Sequence, residues 1–223
     1  LWVLAFFSFM LVIGAALGVL SLRISNGTLA EIKQSQELDD AVGRVVSSYK
    51  DTLNGLGRSA AANYADIVRS VGQPTLLTQG LSSEAAGLLE RAKASMNKGQ
   101  AEFDFFKTLP KPPEAAESLK EVEDSYTALV QQGLTPLTAA LEKADMPAYQ
   151  AQVQKVQDAL EGRFARAVEG FDFWRASKML DAHEVAQVRY QFVLLAVSAG
   201  GVIAALLVLS LIHISEPTRP ERI

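Results

Sequence analysis

Residues 38–60 read LDDAVGRVVSSYKDTLNGLGRSA, and this stretch carries the clearest structural pattern in the chain. Its spacing follows one face of an α-helix, whereas the apolar residues of a half-buried strand would alternate every second position. The pattern predicts a helix over residues 28–71, ended by Gly72-Gln73-Pro74 and loosened at its start by Asn26-Gly27. Apolar residues recur at steps of three and four, within and beyond it, at Leu38, Val42, Val45, Tyr49, Leu53, Leu56, Ala60, Tyr64, Ile67 and Val71.

Three further segments show the same helical periodicity. The second helix is predicted to start near Ser82, with Ser83 or Ser82 as its cap, and to stop at the run Leu-Pro-Lys-Pro-Pro that begins at Leu109. The third begins at Glu114 and contains Pro136, which is expected to kink or split it. The fourth runs from Ala148 without a helix breaker. Four amphipathic helices with short connections predict an all-α fold, an antiparallel up-down four-helix bundle.

Two uncharged apolar runs flank the polar part of the chain, and each is long enough to cross a bilayer core of roughly 30 Å as a helix. They predict a first transmembrane helix at residues 1–22 and a second at 191–212, with the bundle at 23–190 flanked by both and the lipid bilayer as a partner. A cleaved signal peptide is the alternative for residues 1–22, although its apolar core is usually shorter. Residues 210–223 overlap the end of the second span and are interpreted as an artefactual tail without functional weight.

The composition excludes several classes of function. The chain has a formal net charge of −4, no Cys and two His. Without Cys there is no disulfide, thiolate nucleophile or Cys-based zinc site, and a mildly acidic chain without a basic patch predicts no nucleic-acid partner. The sequence shows no nucleophile–base pair, phosphate-binding loop or metal-ligand cluster. We therefore expect no enzyme activity, no metal and no cofactor.

The candidate ligand-binding residues lie mainly on the first helix. Lys50, Asn54 and Arg58 are four residues apart and share one stripe, predicted to lie just beside the core row. The nearby Gly55 and Gly57 suggest that a backbone or a ligand approaches closely. One interpretation is a cationic pocket for a carboxylate at a dimer interface; the alternative is an ordinary solvated helix face. Two glutamines on the fourth helix complete the candidate set, Gln152 and Gln154.

The layout resembles the sensory region of bacterial methyl-accepting chemotaxis proteins of the aspartate/serine receptor type. The stretch Lys50-Asp51-Thr52-Leu53-Asn54 is similar to the family segment that carries ligand-binding arginines. Residues 103–110, FDFFKTLP, resemble the aromatic end of the family's second helix, and Gln157-Asp158 follows the aromatic Tyr149 by eight residues, as in the family. The likeness covers about residues 1–209.

The resemblance implies a homodimer of periplasmic bundles in the bacterial inner membrane. A small-molecule ligand, or a loaded periplasmic binding protein, would bind at the dimer interface, and the fourth helix would signal to a cytoplasmic kinase and adaptor through domains beyond this sequence. Three family ligand positions fall on residues that cannot serve, namely Gly55, Ser59 and Val153. Aspartate or serine is therefore not the expected ligand.

Two other functions remain open at this level. The same bundle serves as the sensor part of membrane histidine kinases and diguanylate cyclases, and a structural membrane protein without a ligand would show the same spans. The sequence after the second span would distinguish the kinase and the cyclase from a chemoreceptor.

Overall fold

The computed structural model describes residues 2–70 and 80–215, and all regular structure in these two ranges is helical. The chain divides into two compact units, residues 1–176 and 177–223. Six α-helices are interrupted by two wider π-helical turns, the first π turn Val130–Leu134 and the second π turn Val156–Glu161. The helices are α1 (Trp2–Ser70), α2 (Ser83–Thr108), α3 (Ala116–Leu129), α4 (Thr135–Glu142), α5 (Met146–Lys155) and α6 (Gly162–Ser215).

The first unit is a bundle of four helical rods, formed by α1, α2, α3 with α4, and α5 with α6. Ser59 contacts Ala85, whereas Gln34 at the other end of the rod donates to the carbonyl of Pro110, so α1 and α2 run antiparallel. The α1 and α6 rods are also antiparallel, because Tyr49 packs on Phe164 and Asp39 pairs with Arg175. The predicted antiparallel bundle is confirmed.

The core of the bundle is aliphatic along its length and aromatic at mid-height. Tyr126 lies at the centre of the aromatic part, with ring centroids 4.6 Å from Phe103 and 5.4 Å from Phe164. Further down α6, Phe171 is buried and stacks with the half-buried Trp174 at 5.9 Å. Tyr49 of α1 packs on Phe164, so the aromatic layer joins all four rods. Each fully buried large side chain contributes about 1.5–3 kcal/mol to folding.

The interface between α1 and α2 is built from small residues, and we call it the α1–α2 seam: Ser48, Gly55 and Ser59 on α1 with Ala85, Ala92 and Gly99 on α2. A Cβ atom placed on Gly55 would lie 2.9 Å from the Ala92 Cβ. The Ser59 hydroxyl donates to the Ala85 carbonyl at 2.8 Å. The two backbones therefore approach more closely than larger side chains would allow.

Side chains cap the starts of α2 and α5. The Ser82 hydroxyl accepts from the Ala85 amide at 3.2 Å, which confirms the predicted cap of α2. The Asp145 carboxylate accepts from the Ala148 amide at 3.0 Å at the start of α5. Just before it, Ala144 closes α4 with a left-handed φ of 54°. The third rod starts with the short 3₁₀ turn Pro113–Ala115 rather than with the predicted helix at Glu114.

Several expectations for α1 are wrong. The helix continues through Asn26-Gly27, so these two residues do not loosen its start. Leu53 is only half-buried, and Tyr64 and Ile67 are 54 % and 41 % exposed. The rest of the predicted row is buried from Leu38 to Ala60, and the buried face also contains small polar residues that the apolar spacing could not reveal: Ser48, Thr52, Ser59 and Asn63. The predicted break at residues 72–74 and the apolar Val71 lie outside the described residues.

The third and fourth rods both contain a π turn. Pro136 was expected to kink or split its helix. The first π turn lies immediately before α4 and accommodates the backbone N–H that Pro136 lacks, so the rod continues. The fourth rod was expected to be uninterrupted from Ala148, but the second π turn separates α5 from α6. No proline lies in that turn, which is why the interruption could not be predicted from the local sequence.

The described part of the second unit, taken by itself, is the rest of α6, up to Ser215. Among the described residues, one helical stretch, Met146–Leu206, is long and apolar enough to cross a membrane, and its apolar window has no buried residue. Residues 2–22 are helical, and their membrane crossing stays a prediction. The tail was expected to lack helix, yet α6 continues to Ser215; residues 216–223 lie outside the described part.

Candidate ligand-binding site

The three candidate residues of α1 point away from the bundle core. Lys50, Asn54 and Arg58 are all exposed, and each follows by two residues a buried position, Ser48, Thr52 and Leu56. Two residues correspond to about 200° around an α-helix. The stripe therefore lies opposite the core, and the prediction that it lies just beside the core row is wrong.

The two cations of this stripe have no partner in the described part of the chain, whereas many other cations of the bundle are paired. Arg44 bonds to Glu102 at 2.7 Å, and Lys93 lies 3.0 Å from both Glu90 and Glu142. Neither Lys50 nor Arg58 makes an ion pair with a residue that the structure describes. Both positive charges are thus available to an anion or to a second protein chain.

The two glycines near the stripe have different roles. Gly55 faces Ala92 of α2, so its missing side chain is explained by the α1–α2 seam and not by a ligand. A Cβ on Gly57 would meet nothing within 4 Å, so this glycine leaves open space two helical turns from Lys50. The close approach predicted from the two glycines is confirmed at Gly55 as a contact between two helices.

A second apolar row on α1 passes through Lys50, and it was missed by the sequence reasoning. We call it the outer row: Gly43, Val46, Lys50, Leu53 and Gly57, at steps of three and four. Val46 and Leu53 are half-buried and pack against the edge of the core. Spacing of this kind is typical of a helix that packs against another helix, and counting a second face on α1 would have found it. Lys50 is the one charged residue of the row.

The two glutamine candidates do not join this stripe. The Gln152 side-chain amide donates a hydrogen bond to the carbonyl of Gln132 on the first π turn. Gln154 is exposed on α5. In the described part of the chain, neither glutamine makes a hydrogen bond to Lys50, Asn54 or Arg58.

An open groove of about 530 Å³ runs between α1 and α6 within the first unit, next to the outer row. Arg175 spans its acidic end, 3.0 Å from Asp39 and 3.6 Å from Asp172. Burial raises the pKa of Asp39, and this effect outweighs the nearby positive charge of Arg175. No local pattern predicted the groove, because its walls come from helices more than 120 residues apart. Its lining is Asp39, Asp40, Val42, Gly43, Arg44, Val46, Ser47, Val168 and Asp172.

The described residues hold no group of three or more His, Asp and Glu placed to bind a metal ion. What the geometry offers is instead an exposed cationic stripe and an apolar row on one long helix. Both features suit contact with an anion and with another helix.

Comparison with known proteins places this arrangement in a family. A family profile described as the Tar ligand binding domain homologue matches residues 1–169. Among solved structures, the chain is similar to the N-terminal ligand-binding domain of a protein assigned as a methyl-accepting chemotaxis protein from Salmonella enterica. The TM-score is 0.54 and the identity 17 %, over 68 % of this chain and 97 % of that one.

That structural likeness shows the shared bundle fold, and no curated protein sequence matches the chain. The family profile covers the whole of α1 to α5 and the start of α6, including the cationic stripe and both π turns. The chain therefore belongs to the family of Tar ligand-binding domain homologues, the sensory domains of chemotaxis receptors.

Proposed function

We propose that this chain is the sensory region of a transmembrane chemoreceptor in the bacterial inner membrane, with residues 23–190 in the periplasm. The family match over residues 1–169 supports this most directly. The apolar segment 191–212, whose described side chains are almost all exposed, suits a membrane span. Residues 1–22 would form the first span. We expect no enzymatic activity from the bundle itself.

The outer row of α1 supports a homodimer in which two copies pack through this helix. Membrane spans at the same end would hold the copies parallel, so a two-fold axis would place each residue of the row opposite itself. Val46 and Leu53, which already pack against the core on one side, would become more fully buried, and Gly43 and Gly57 would let the backbones approach. A lysine at one interface position of such a row sets register and partner number at a cost in stability.

Lys50 is central to the proposed ligand site for that reason. In a parallel dimer the two Lys50 ammonium groups would face one another across an apolar row, where each disfavours the other. A small carboxylate between them would offset this repulsion, with Asn54 and Arg58 next to it on the same stripe. Ligand binding would therefore strengthen the dimer. The alternative is a solvated helix face that binds no ligand, and it predicts no coupling between carboxylate concentration and dimer strength.

A chimera tests the function. Residues 1–209 would be fused to the cytoplasmic signalling region of an established chemoreceptor, and kinase output would be measured while small carboxylates and periplasmic extracts are screened. A ligand-dependent change in kinase output is the expected result. A chimera that inserts in the membrane and dimerises, yet responds to no carboxylate and no extract, would favour a structural membrane protein.

The alternative sensors, those of a membrane histidine kinase or a diguanylate cyclase, share the bundle and would also drive the chimera. They differ in the domain that is attached to the second span, so the genomic sequence beyond residue 209 distinguishes them. A long methylated coiled coil supports the chemoreceptor, whereas a catalytic kinase or cyclase domain contradicts it.

A further inference from the structure

The two π turns have different causes. In a π turn each carbonyl bonds to the amide five residues ahead, so the turn holds one extra residue. In the first π turn, the regular donor for the Gln132 carbonyl would be the amide of Pro136, which has no N–H, and the proline ring crowds that carbonyl. Pro136 therefore accounts for the first π turn by itself.

The second π turn has no such cause in its own sequence but lies against the first. A Cβ on Gly133, in the first turn, would lie 3.0 Å from the Val156 Cγ2 and 3.3 Å from the Leu160 Cδ1, both in the second. Val156 and Leu160 are buried, with 1 % and 8 % exposure. The widened turn of the fourth rod thus fits a surface shaped by the widened turn of the third.

A hydrogen bond ties α5 to the same place. The Gln152 side-chain amide donates to the Gln132 carbonyl, which is the carbonyl that lost its regular donor to Pro136. Gln152 lies in α5, one turn before the second π turn. This bond links α5 directly to the first π turn.

Burial is unequal on the two sides of the second π turn. Tyr149 is the buried residue of the ten in α5, whereas α6 places Phe164, Ala167 and Phe171 in the core within its first ten residues. Rotating α6 would expose two fully buried phenylalanines, whereas rotating α5 would displace one buried tyrosine and the half-buried Met146 and Val153. A change of register at the turn would therefore move α5 and leave the upper part of α6 in place.

We propose that the paired π turns are a register switch. Pro136 and Gly133 hold α5 one residue out of α-helical register with α6. Loss of the Gln152–Gln132 bond lets α5 rotate by about 100°, the angle of one residue, into a continuous α-helix. Register shifts of packed helices occur in microseconds to milliseconds. A ligand that draws Gln152 away would operate the switch; that step rests on the proposed function, while the switch itself needs no ligand.

The test uses the full chain in lipid nanodiscs without ligand, so its result does not depend on the receptor role. The sequence has no Cys, so spin labels attach only to the two cysteines that are introduced. One pair, at Lys98 and Gln154, reports on α5; the other, at Lys98 and Glu169, reports on α6. All three positions are exposed.

Pro136→Ala restores the backbone donor and removes the cause of the first π turn. We expect the 98–154 distance to shift by several ångströms while the 98–169 distance stays unchanged and thermal stability does not fall. Pro113→Ala, at the start of the third rod, is the matched control and should change neither distance. An unchanged 98–154 distance in folded Pro136→Ala would overturn the proposal, as would equal shifts in both distances.

Gly133→Ala provides a second route that does not rely on proline. Its new methyl group must displace Val156 or Leu160, so it should shift the 98–154 distance in the same way. Gly162→Ala is its control, because that Cβ meets only the Arg166 guanidinium at 3.5 Å. If Pro136→Ala does not fold, as judged by circular dichroism, Gly133→Ala decides the question: a 98–154 shift supports the switch, and its absence rejects it.

Discussion

Gly55 of α1 lies directly against Ala92 of α2, with 3.2 Å between a Cβ placed on the glycine and the Ala92 Cα. Two residues further along α1, Gly57 faces open space. An alanine at each of these two glycines is therefore expected to change the stability of the bundle in opposite directions.

We expect Gly55→Ala to lower the free energy of unfolding by about 1–3 kcal/mol, the usual cost of overpacking, because the Ala92 backbone cannot turn aside. In the monomeric chain, where a Cβ on Gly57 meets nothing within 4 Å, Gly57→Ala is the matched control and should raise it by about 1 kcal/mol through better helix propensity; both variants are therefore compared at a concentration at which the chain is monomeric. Urea unfolding of the full chain in detergent measures both. Equal stabilisation by the two changes would mean that the seam is looser than described.

Ala144 offers a stabilising change at the end of α4. Its left-handed φ of 54° places Cβ near the next carbonyl, which costs an L-residue about 1–2 kcal/mol. Ala144→Gly should therefore raise the midpoint of thermal unfolding, with a gain below that cost because glycine is freer when unfolded. Ala151→Gly, at an exposed position inside α5, should lower it. A lower midpoint for Ala144→Gly would contradict the assigned turn.

The aromatic centre predicts how stability depends on alkaline pH. Burial raises the pKa of Tyr126 to about 12, and the negative charge of Asp104 adds to the effect. Because the unfolded chain ionises this tyrosine near pH 10, its stabilising contribution is complete below pH 10 and is lost as the pH rises through 12. Burial acts in the same direction on Tyr49, whose pKa is also raised to about 12.

Tyr126→Phe should therefore reduce the loss of thermal stability between pH 9 and pH 12, measured by circular dichroism. Tyr64→Phe, at an exposed tyrosine of α1, is the control and should leave the pH dependence unchanged. The same slope in Tyr126→Phe as in the natural protein would show that other groups cause the alkaline loss.

Ligand affinity is expected to follow Lys50 and Arg58. A carboxylate held by charge-assisted hydrogen bonds gains about 1.5–3 kcal/mol from each, so Lys50→Ala should weaken binding by about tenfold or more. Lys98→Ala, an exposed lysine on α2, is the control. Calorimetry with a carboxylate found in the chimera screen measures all three; unchanged affinity in both Lys50→Ala and Arg58→Ala would identify the stripe as an ordinary solvated face.

Transmission through α6 is tested near the membrane. Ala186→Pro removes one helix bond and clashes with the preceding turn, at about 3 kcal/mol or more. In the chimera we expect it to keep ligand affinity and to lose the effect of ligand on kinase output. Ala186→Ser keeps the helix, so it should retain both ligand affinity and the effect of ligand on kinase output. Normal output from Ala186→Pro would mean that the signal takes another route.

Apolar spacing predicted the four rods because helix periodicity and strong breakers such as Pro110 are local properties of the sequence. It failed where the structure depends on a neighbour. The buried face of α1 also includes Ser48 and Thr52, and the second π turn lies against Gly133 on another rod. In the candidate site, Lys50 is exposed and lies on a second apolar row of α1. This is a property of the tertiary structure, and the spacing of apolar residues on one helix face could not show it.

The stacking of Trp174 on Phe171 gives the protein a built-in optical reporter. The chain has two tryptophans, and the other, Trp2, lies at the far end of α1. Replacing Trp2 by Phe would leave one indole, half-buried against a fully buried ring. Its emission wavelength and quenching by iodide would then follow the packing of that part of α6 in real time, without any attached dye.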